Sequence, residues 1–285
     1  MFSRLALGGG GTKGFLHLGA LQELEYKFGN LTSHFKDGIY GCSIGSLIAT
    51  GVAFGLNTDQ IIRMSKKYII MKQITGNFQF NSISSIVAKK GMFNMNLFET
   101  QVLKAFDSEG IDLRNKFLSD AKIPLNISAS NVTKGIPTIF RGKVLVIDCL
   151  KASCCLPFIF NPQQIGNSLY VDGGFMTNVI LKVIPQEHRD STLAICIIQP
   201  HHHITPSNIL TLTPVEYIYR LYKTLCMYEH SVFKNSSNIV SLFHTEKPGY
   251  EDPSPEIIED MILTGRCLMR DFLRTKRTNQ ESIKR

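Results

Sequence analysis

Ser43 is at the centre of Gly41-Cys-Ser-Ile-Gly45, a segment with the spacing GxSxG. A predicted strand, Gly38–Gly41, leads into this serine, and an apolar helical pattern, Ile44–Phe54, follows it. A sharp turn from a strand into a helix exposes a serine hydroxyl, and the flanking glycines permit the backbone crowding that such a turn requires. The segment therefore predicts a nucleophilic serine, with an ordinary structural turn as the alternative.

A glycine-rich segment, Gly8-Gly-Gly-Gly-Thr-Lys-Gly14, follows the first predicted strand and opens the first predicted helix. Consecutive glycines leave backbone N–H groups bare and allow positive φ, which suits an anion-binding site at a helix N-terminus. Gly9, Gly11 and Gly14 also match the GxGxxG spacing of a dinucleotide loop. The dinucleotide interpretation is weak, because no acidic residue ends the second predicted strand. A Walker-type phosphate loop is weak as well, because Lys13 is followed by glycine instead of serine or threonine.

A third motif, Asp172-Gly-Gly174, follows the apolar run Leu169–Val171. Taken alone, it is best interpreted as a common Asp-Gly turn at the end of a strand. Taken with the other two motifs, it supplies what a nucleophilic serine needs. Ser43 needs a base and an oxyanion stabiliser, and the chain offers one candidate for each at the end of a predicted strand.

Short apolar runs that alternate with helical patterns must position these motifs. The predicted strands are Phe2–Leu7, Gly38–Gly41, Leu125–Ser130, Thr138–Phe140, Val144–Ile147, Leu169–Val171 and Leu193–Ile198. The predicted helices are Phe15–Phe28, Ile44–Phe54, one capped by Asn57, one that begins at Thr213-Pro-Val-Glu216, and a last one after Ser254. The segment 72–96 is predicted to be loop and short helix that covers the site. This alternation predicts an α/β layered fold with a mostly parallel sheet, whose ligand sites gather at the carboxyl edge.

The composition indicates a globular protein with a reduced core. Of the 285 residues, 44% are hydrophobic and 19% are charged, and no apolar run approaches the ~18 residues of a membrane-spanning helix. The amino terminus runs directly into the glycines, which leaves no room for a secretory signal, so we expect a cytoplasmic protein. Seven cysteines without a CxxC pair predict reduced core thiols, namely Cys42, Cys149, Cys154, Cys155, Cys196, Cys226 and Cys267.

The net charge is +8, and much of it is found after residue 265. The basic residues of this tail are Arg266, Arg270, Arg274, Lys276, Arg277, Lys284 and Arg285. A basic tail can attract an anionic membrane surface or nucleic acid, and it can also be a frayed, solvated terminus. Charge by itself selects none of these.

These motifs together resemble the patatin-like phospholipase family. That family shows a loop GGG-x-(Arg/Lys)-G, then GxSxG, then a later DGG or DGA. The corresponding segments here are Gly9-Gly10-Gly11-Thr12-Lys13-Gly14, Gly41-Cys42-Ser43-Ile44-Gly45 and Asp172-Gly173-Gly174. A fourth segment, Ala152-Ser-Cys-Cys-Leu-Pro157-Phe-Ile-Phe160, is similar to the family pattern A-S-x-x-x-P-x-x-F. One departure is visible, because the family often has Asn-x-Pro after the aspartate and Asn178 is followed here by valine and isoleucine.

The resemblance implies a three-layer fold and a Ser–Asp dyad. In such a dyad, Ser43 attacks a lipid ester, Asp172 accepts its proton, and the N–H groups of Gly9, Gly10 and Gly11 hold the oxyanion. The implied substrate is a phospholipid or another acyl lipid, and a peripheral membrane surface fits the basic tail better than nucleic acid does. We expect neither a cofactor nor a metal. The implied catalytic core spans residues 1–185, and residues 186–285 form the C-terminal remainder of the same domain.

Three alternatives remain open at this point. An α/β-hydrolase with a Ser-Asp-His triad would use His188, His201–His203 or His244, although that fold places more strands before its serine. The run His201–His203 also suggests a metal site, but adjacent histidines lack the i, i+4 geometry of a helical zinc site, so a solvent-facing loop is the better interpretation. The protein could also be a non-catalytic lipid- or protein-binding module that keeps the fold.

Overall fold

The computed structural model describes residues 2–76, 88, 90–177, 179–198, 204–233, 236–244 and 252–283. Its strands are β1 (Arg4–Leu7), β2 (Ile39–Cys42), β3 (Gly91–Phe93), β4 (Leu125–Asn131), β5 (Ile136–Phe140), β6 (Phe158–Phe160), β7 (Gln163–Ile165), β8 (Ser168–Asp172), β9 (Thr192–Ile198) and β10 (Ile239–Phe243). Its α-helices are α1 (Gly14–Phe28), α2 (Leu31–His34), α3 (Ile44–Ala53), α4 (Thr58–Tyr68), α5 (Met71–Thr75), α6 (Asn96–Asp107), α7 (Val146–Cys154), α8 (Gln186–Arg189), α9 (Pro214–Phe233) and α10 (Pro255–Ile283).

The main sheet has the strand order β10-β9-β1-β2-β4-β8-β7, and β5 pairs with β4 beside this path. The strands from β10 to β4 are parallel to one another. In contrast, β5, β7 and β8 make antiparallel pairs. A separate pair of short parallel strands joins β3 to β6. The mostly parallel sheet predicted from the sequence is therefore confirmed.

The central strands are buried on both faces, so their side chains enter two apolar cores in alternation. Leu5 and Leu7 of β1 belong to the larger core, which also contains residues of α1, α3 and α10. Ala6 between them belongs to the smaller core. That smaller core is closed by the 3-10 turn Ile180–Val183 and by Phe233 of α9. The result is three layers, with the sheet in the middle.

Capping signals located the helix starts well. Asn57 accepts a hydrogen bond from the backbone of Gln60, and the Gln60 side chain accepts one in return, so the predicted cap of α4 is a capping box. Thr213 and Glu216 make the corresponding pair of bonds at α9. Ser254 accepts a bond from the backbone N–H of Ile257 at the start of α10.

The predicted strand Val144–Ile147 is wrong, because α7 begins at Val146. An apolar run of four residues fits a strand and the first turn of a buried helix equally well. As a helix, the segment buries Val146, Cys149 and Leu150 on one face. Within 72–96, the end of α5 and the strand β3 are described, while 77–87 and 89 lie outside the described residues.

The last helix, α10, packs closely across α1, the helix that follows the glycine loop. A Cβ atom on Gly19 would overlap the carbonyl of Ile262, and one on Gly265 would overlap the carbonyl oxygen of Leu16. Beside this crossing, Arg270 donates two hydrogen bonds to the buried carboxylate of Glu23, at 3.0 and 2.8 Å. Arg270, one of the basic residues of the tail, is thus bound to the body of the protein.

His17 ties α1 to the end of β1. Its Nε2–H donates to the carbonyl oxygen of Gly8 at 2.9 Å, and its ring is fully buried. Its Nδ1 has no hydrogen-bond partner among the described residues. A second proton would therefore place an uncompensated charge in the core, and burial lowers the pKa of His17 from 6.5 to about 4.

Gly265→Ala should destabilise the protein by about 1–3 kcal/mol, although alanine normally favours a helix over glycine. The added Cβ has to displace the backbone of α1, which cannot move without disturbing the core. Urea denaturation followed by circular dichroism measures the free energy of unfolding. The control is Gly51→Ala in α3, where the new methyl group meets only side chains, those of Ile61 and Leu56, and should cost less. Equal stability of Gly265→Ala and the wild type would contradict the close crossing.

His17→Gln should remove part of the acid sensitivity of the fold. Between pH 6.5 and pH 4 the unfolded chain binds a proton at this histidine and the folded chain does not. The contribution of neutral His17 to the free energy of unfolding is therefore fully present above pH 6.5. The wild type loses roughly 3 kcal/mol of this free energy as the pH falls towards 4. Glutamine keeps an N–H donor for Gly8 but does not titrate. Urea titrations at several pH values should show a shallower slope for the variant, and an unchanged slope would refute the assignment.

Candidate active site

Ser43 occupies a strained turn between β2 and α3. Its backbone dihedrals are φ 53° and ψ −130°, in a region that residues other than glycine rarely adopt. The strained turn directs its hydroxyl towards Asp172, and Oγ donates to Asp172 Oδ2 at 2.6 Å. The structure thus brings together two predicted site residues that are 129 positions apart in the sequence.

Asp172 ends β8 and caps the 3-10 turn Gly173–Phe175. Its Oδ1 accepts a hydrogen bond from the backbone N–H of Gly174 at 2.8 Å, which leaves Oδ2 directed at the serine. The side chain is buried. Ser130 of β4 donates to the backbone carbonyl oxygen of Asp172 and so fixes the strand end that carries it. Both carboxylate oxygens therefore have defined partners.

The route by which Asp172 reaches the site differs from the expectation. Because β8 is antiparallel to β4, the rule that parallel strands end at a common edge does not place this residue. The pairing register of the strands places Asp172 instead. Asp172 pairs with Ala129, and Cys42 pairs with Ser128, so the ends of β2 and β8 lie on either side of β4.

The glycine loop crosses directly over the serine. A Cβ atom on Gly9 would lie 3.3 Å from Ser43 Cβ, and one on Gly10 would overlap the side chain of Ile197 in β9. Gly11 has φ 58° and begins the short 3-10 turn Gly11–Lys13 that leads into α1. The backbone of Gly9 thus lies close to Ser43.

The other motif glycines mark positions where the backbone has no room for a side chain. A Cβ atom would overlap neighbouring atoms at Gly14, Gly41, Gly45 and Gly173. Gly174 provides the N–H that binds Asp172. These residues allow the close backbone packing around the turn.

Lys13 is fully buried. Its Nζ donates to the carbonyl oxygen of His244 at 3.4 Å, just after β10. The His244 ring in turn contacts Asp260 Oδ2 of α10 at 2.8 Å. Lys13 therefore connects the glycine loop to the C-terminal part of the chain.

Ser153 is a positioning residue that sequence reasoning missed. Its Oγ accepts a hydrogen bond from the backbone N–H of Ser43 at 2.9 Å and donates to the carbonyl oxygen of Ser128 at 2.6 Å. The strained turn is thus held to β4 through a single hydroxyl. Ser153 belongs to the fourth motif, Ala152–Phe160. The sequence indicated this motif but did not indicate what Ser153 does in it.

A mainly apolar pocket extends from Ser43 and Asp172 into the protein. Its lining includes Ile44, Leu47 and Ile48 of α3 and Phe15 and Leu18 of α1. Further apolar lining comes from Ile69, Ile74, Phe98, Leu156, Ile159 and Phe160. A pocket of this composition suits a hydrocarbon chain, and its lining includes Ser43 and Asp172.

Tyr222 of α9 also lines this pocket, which no motif predicted. Its ring stacks on that of Phe175, directly after the Asp172–Gly174 motif, with 6.0 Å between the ring centroids. Burial raises the pKa of Tyr222 well above its usual value, so this hydroxyl stays protonated. The C-terminal part of the chain therefore contributes directly to the site.

Two thiols lie near Ser43 and Asp172. Burial, followed by the nearby charge of Asp172, raises the pKa of Cys42 and of Cys154 far above the usual range. Both side chains are therefore neutral thiols. All seven cysteines are free, as predicted, although Cys267 is exposed instead of buried.

No group of three or more His, Cys, Asp and Glu side chains in the described part of the chain could hold a metal ion. His201–His203 and Asn178 lie outside the described residues. His188 is found in the short helix α8, and His244 contacts Asp260. No helix within the described ranges is long and apolar enough to cross a membrane.

Comparison with known proteins finds relatives that are named as a lipid hydrolase and a phospholipase. The chain is 28% identical over 195 residues to the "Probable lipid hydrolase 463L" of Invertebrate iridescent virus 6, and the match covers 66% of this chain and 64% of that protein. It is 25% identical over 195 residues to the "cUMP-AMP-activated phospholipase" of Escherichia coli, covering 61% of this chain and 55% of that one. The matched region thus spans less than two thirds of each relative.

The crystal structure of VipD from Legionella pneumophila shares the fold, with a TM-score of 0.56 and 14% identity over 95% of this chain and 66% of that one. The family model described as patatin-like phospholipase matches residues 5–184. That range holds the glycine loop, Ser43, Ser153 and Asp172, and it covers more than half of the sequence. The chain belongs to the patatin-like phospholipase family.

Proposed function

We propose that the protein hydrolyses fatty-acyl esters of lipids, with Ser43 as the nucleophile and Asp172 as the proton acceptor. The observation that carries this proposal is the 2.6 Å hydrogen bond from Ser43 Oγ to Asp172 Oδ2 beside the glycine loop. Membership of the patatin-like phospholipase family and relatives named as a lipid hydrolase and a phospholipase support the substrate class.

In the first half of the reaction, Ser43 Oγ attacks the ester carbonyl carbon while its proton passes to Asp172. The negative charge that develops on the carbonyl oxygen is stabilised by backbone N–H groups of Gly9–Gly11. The carbon–oxygen bond to the lipid alcohol then breaks, and Asp172 returns the proton to that alcohol. The acyl group remains on Ser43, with its hydrocarbon chain in the apolar pocket.

In the second half, water attacks the acyl-enzyme and gives its proton to Asp172. The bond between Ser43 Oγ and the acyl carbon breaks, the serine regains its proton, and the fatty acid leaves. Each half of the reaction thus uses the same carboxylate first as base and then as acid. The hydrolysis requires no reactant other than the ester and water.

A Ser-Asp-His triad is the main rival, and it would place an imidazole between serine and carboxylate. The direct contact between Ser43 and Asp172 favours a dyad. A non-catalytic module is the second rival. The strained backbone of Ser43 argues against it, because strain of this kind costs free energy and gathers at functional sites.

Ser43→Ala and Asp172→Asn should each lower kcat/KM on lipid esters by about three orders of magnitude or more. The former removes the nucleophile and the latter removes the proton acceptor, while both keep the size of the side chain close to the original. Mass spectrometry of the products from mixed phospholipids and glycerides measures turnover and shows which ester is cleaved. Matched controls are Ser108→Ala at the end of α6 and Asp107→Asn in its surface ion pair with Arg114, and both should keep wild-type activity.

A fluorophosphonate ester should label the wild type at Ser43, because it forms a stable phosphonyl ester with an activated serine. Peptide mass spectrometry locates the adduct. Asp172→Asn should react far more slowly, and Ser43→Ala should not react at all. Full ester hydrolysis by Ser43→Ala, or labelling at another residue, would overturn the proposed mechanism. If loss of one histidine abolished turnover while Asp172→Asn did not, the triad would replace the dyad.

A further inference from the structure

The outward side of α9 carries a stripe of exposed apolar and aromatic side chains. Tyr217, Leu221, Leu225 and Tyr228 are 38%, 43%, 69% and 73% exposed, and these four residues are termed the α9 face. Their spacing of four, four and three residues places them along one side of the helix. Exposed Ile209 and Leu210 come just before this helix.

The opposite side of α9 is fixed to the protein. Cys226 and His230 are buried, and His230 Nε2 lies 3.0 Å from Ser241 Oγ of β10. Glu229 accepts a hydrogen bond from the backbone N–H of Val179. The helix is thus packed against the protein along its inner side. The α9 face is exposed although the helix itself is well anchored.

The α9 face is carried by a helix that also contributes to the lining of the Ser43 pocket. Tyr222, which follows Leu221 in the chain, lines the pocket together with Ser43 and Asp172. Its stacking partner Phe175 is itself exposed, so an aromatic path connects the pocket lining to the protein surface. Whatever covers the α9 face therefore contacts the same helix that supplies Tyr222 to the pocket.

We propose that the α9 face docks onto the surface of a lipid bilayer and holds the mouth of the Ser43 pocket against it. Tyrosine and leucine on one side of a helix match the boundary between head groups and acyl chains, where aromatic rings keep their hydroxyls hydrated. The proposal rests on the proposed function for its substrate, because an acyl lipid has to leave the bilayer to enter the pocket.

The basic tail is a weaker candidate for the same role. Arg270 is committed to Glu23 through two hydrogen bonds, and Arg266 lies 4.0 Å from the same carboxylate. The positive charge of the chain, +8, can still add attraction to anionic lipids. Apolar docking and electrostatic attraction differ in their response to salt, which separates the two sources of binding.

The test compares Leu221→Ser combined with Leu225→Ser against a matched pair on other helices. The control combines Leu97→Ser in α6 with Leu263→Ser in α10, whose side chains are 43% and 59% exposed. Co-sedimentation measures binding to vesicles of phosphatidylcholine alone and of phosphatidylcholine with phosphatidylserine, each at low and high salt. We expect the α9 variant to bind phosphatidylcholine vesicles about tenfold more weakly than the wild type and the control to bind normally.

Turnover supplies the second measurement. The α9 variant should hydrolyse a short-chain, water-soluble ester at a rate close to that of the wild type, whereas its hydrolysis of vesicle phospholipid should fall about tenfold with binding. An equal fall on both substrates would show that α9 shapes the pocket instead of docking, and would overturn the proposal. Binding that requires phosphatidylserine, disappears at high salt and ignores the α9 variant would also overturn it in favour of the basic tail.

Sedimentation velocity tests whether a second copy of the chain covers the α9 face. A wild-type dimer that the α9 variant converts to a monomer, with vesicle binding unchanged, would overturn bilayer docking. Failure of the proposed chemistry would look different. Ser43→Ala should bind vesicles as the wild type does and hydrolyse neither substrate, so a catalytic failure leaves the docking measurement intact.

Discussion

The short hydrogen bond between Ser43 and Asp172 is the constraint on which the rest of the site depends. Neither partner could reach the other through local structure, because they belong to strands far apart in the chain. The strand β4 joins them by pairing with β2 on one edge and with β8 on the other. A shift of β8 by one residue would turn the carboxylate to the opposite face of the sheet. The register of one antiparallel pair therefore determines whether the site exists.

A second requirement is that Ser43 stays in an unfavourable backbone conformation. Such strain persists only where the surroundings over-determine it. Here the N–H of Ser43 is bound to Ser153, and its carbonyl oxygen accepts hydrogen bonds from the backbone N–H and the hydroxyl of Ser46. The adjacent glycines allow β1 and α3 to approach without the clash that a Cβ atom would cause. The turn is thus held by hydrogen bonds on one side and by close backbone packing on the other.

Local signals explain which parts of this structure the sequence could predict. Caps and glycine turns act over a few residues, so the starts of α4, α9 and α10 and the turn at Ser43 followed from short motifs. Non-local pairing does not leave such a signal. The antiparallel direction of β8 and the strand β10 were absent from the prediction, and the apolar run at Val146 proved helical because its burial is decided by tertiary packing. The burial of Lys13 likewise depends on His244, which is far away in the chain.

The C-terminal part of the chain, outside the matched family region, is built into the site at three points. The strands β9 and β10 extend the sheet beside β1, and Ile197 of β9 contacts the glycine loop. Helix α10 packs against α1 at the glycine crossing and through the hydrogen bond from Arg270 to Glu23. The glycine loop leads directly into the amino-terminal end of α1. Helix α9 contributes Tyr222 to the pocket. Because the loop, the serine and the pocket wall each depend on these contacts, the motif-bearing residues alone do not define the geometry on which ester hydrolysis would depend.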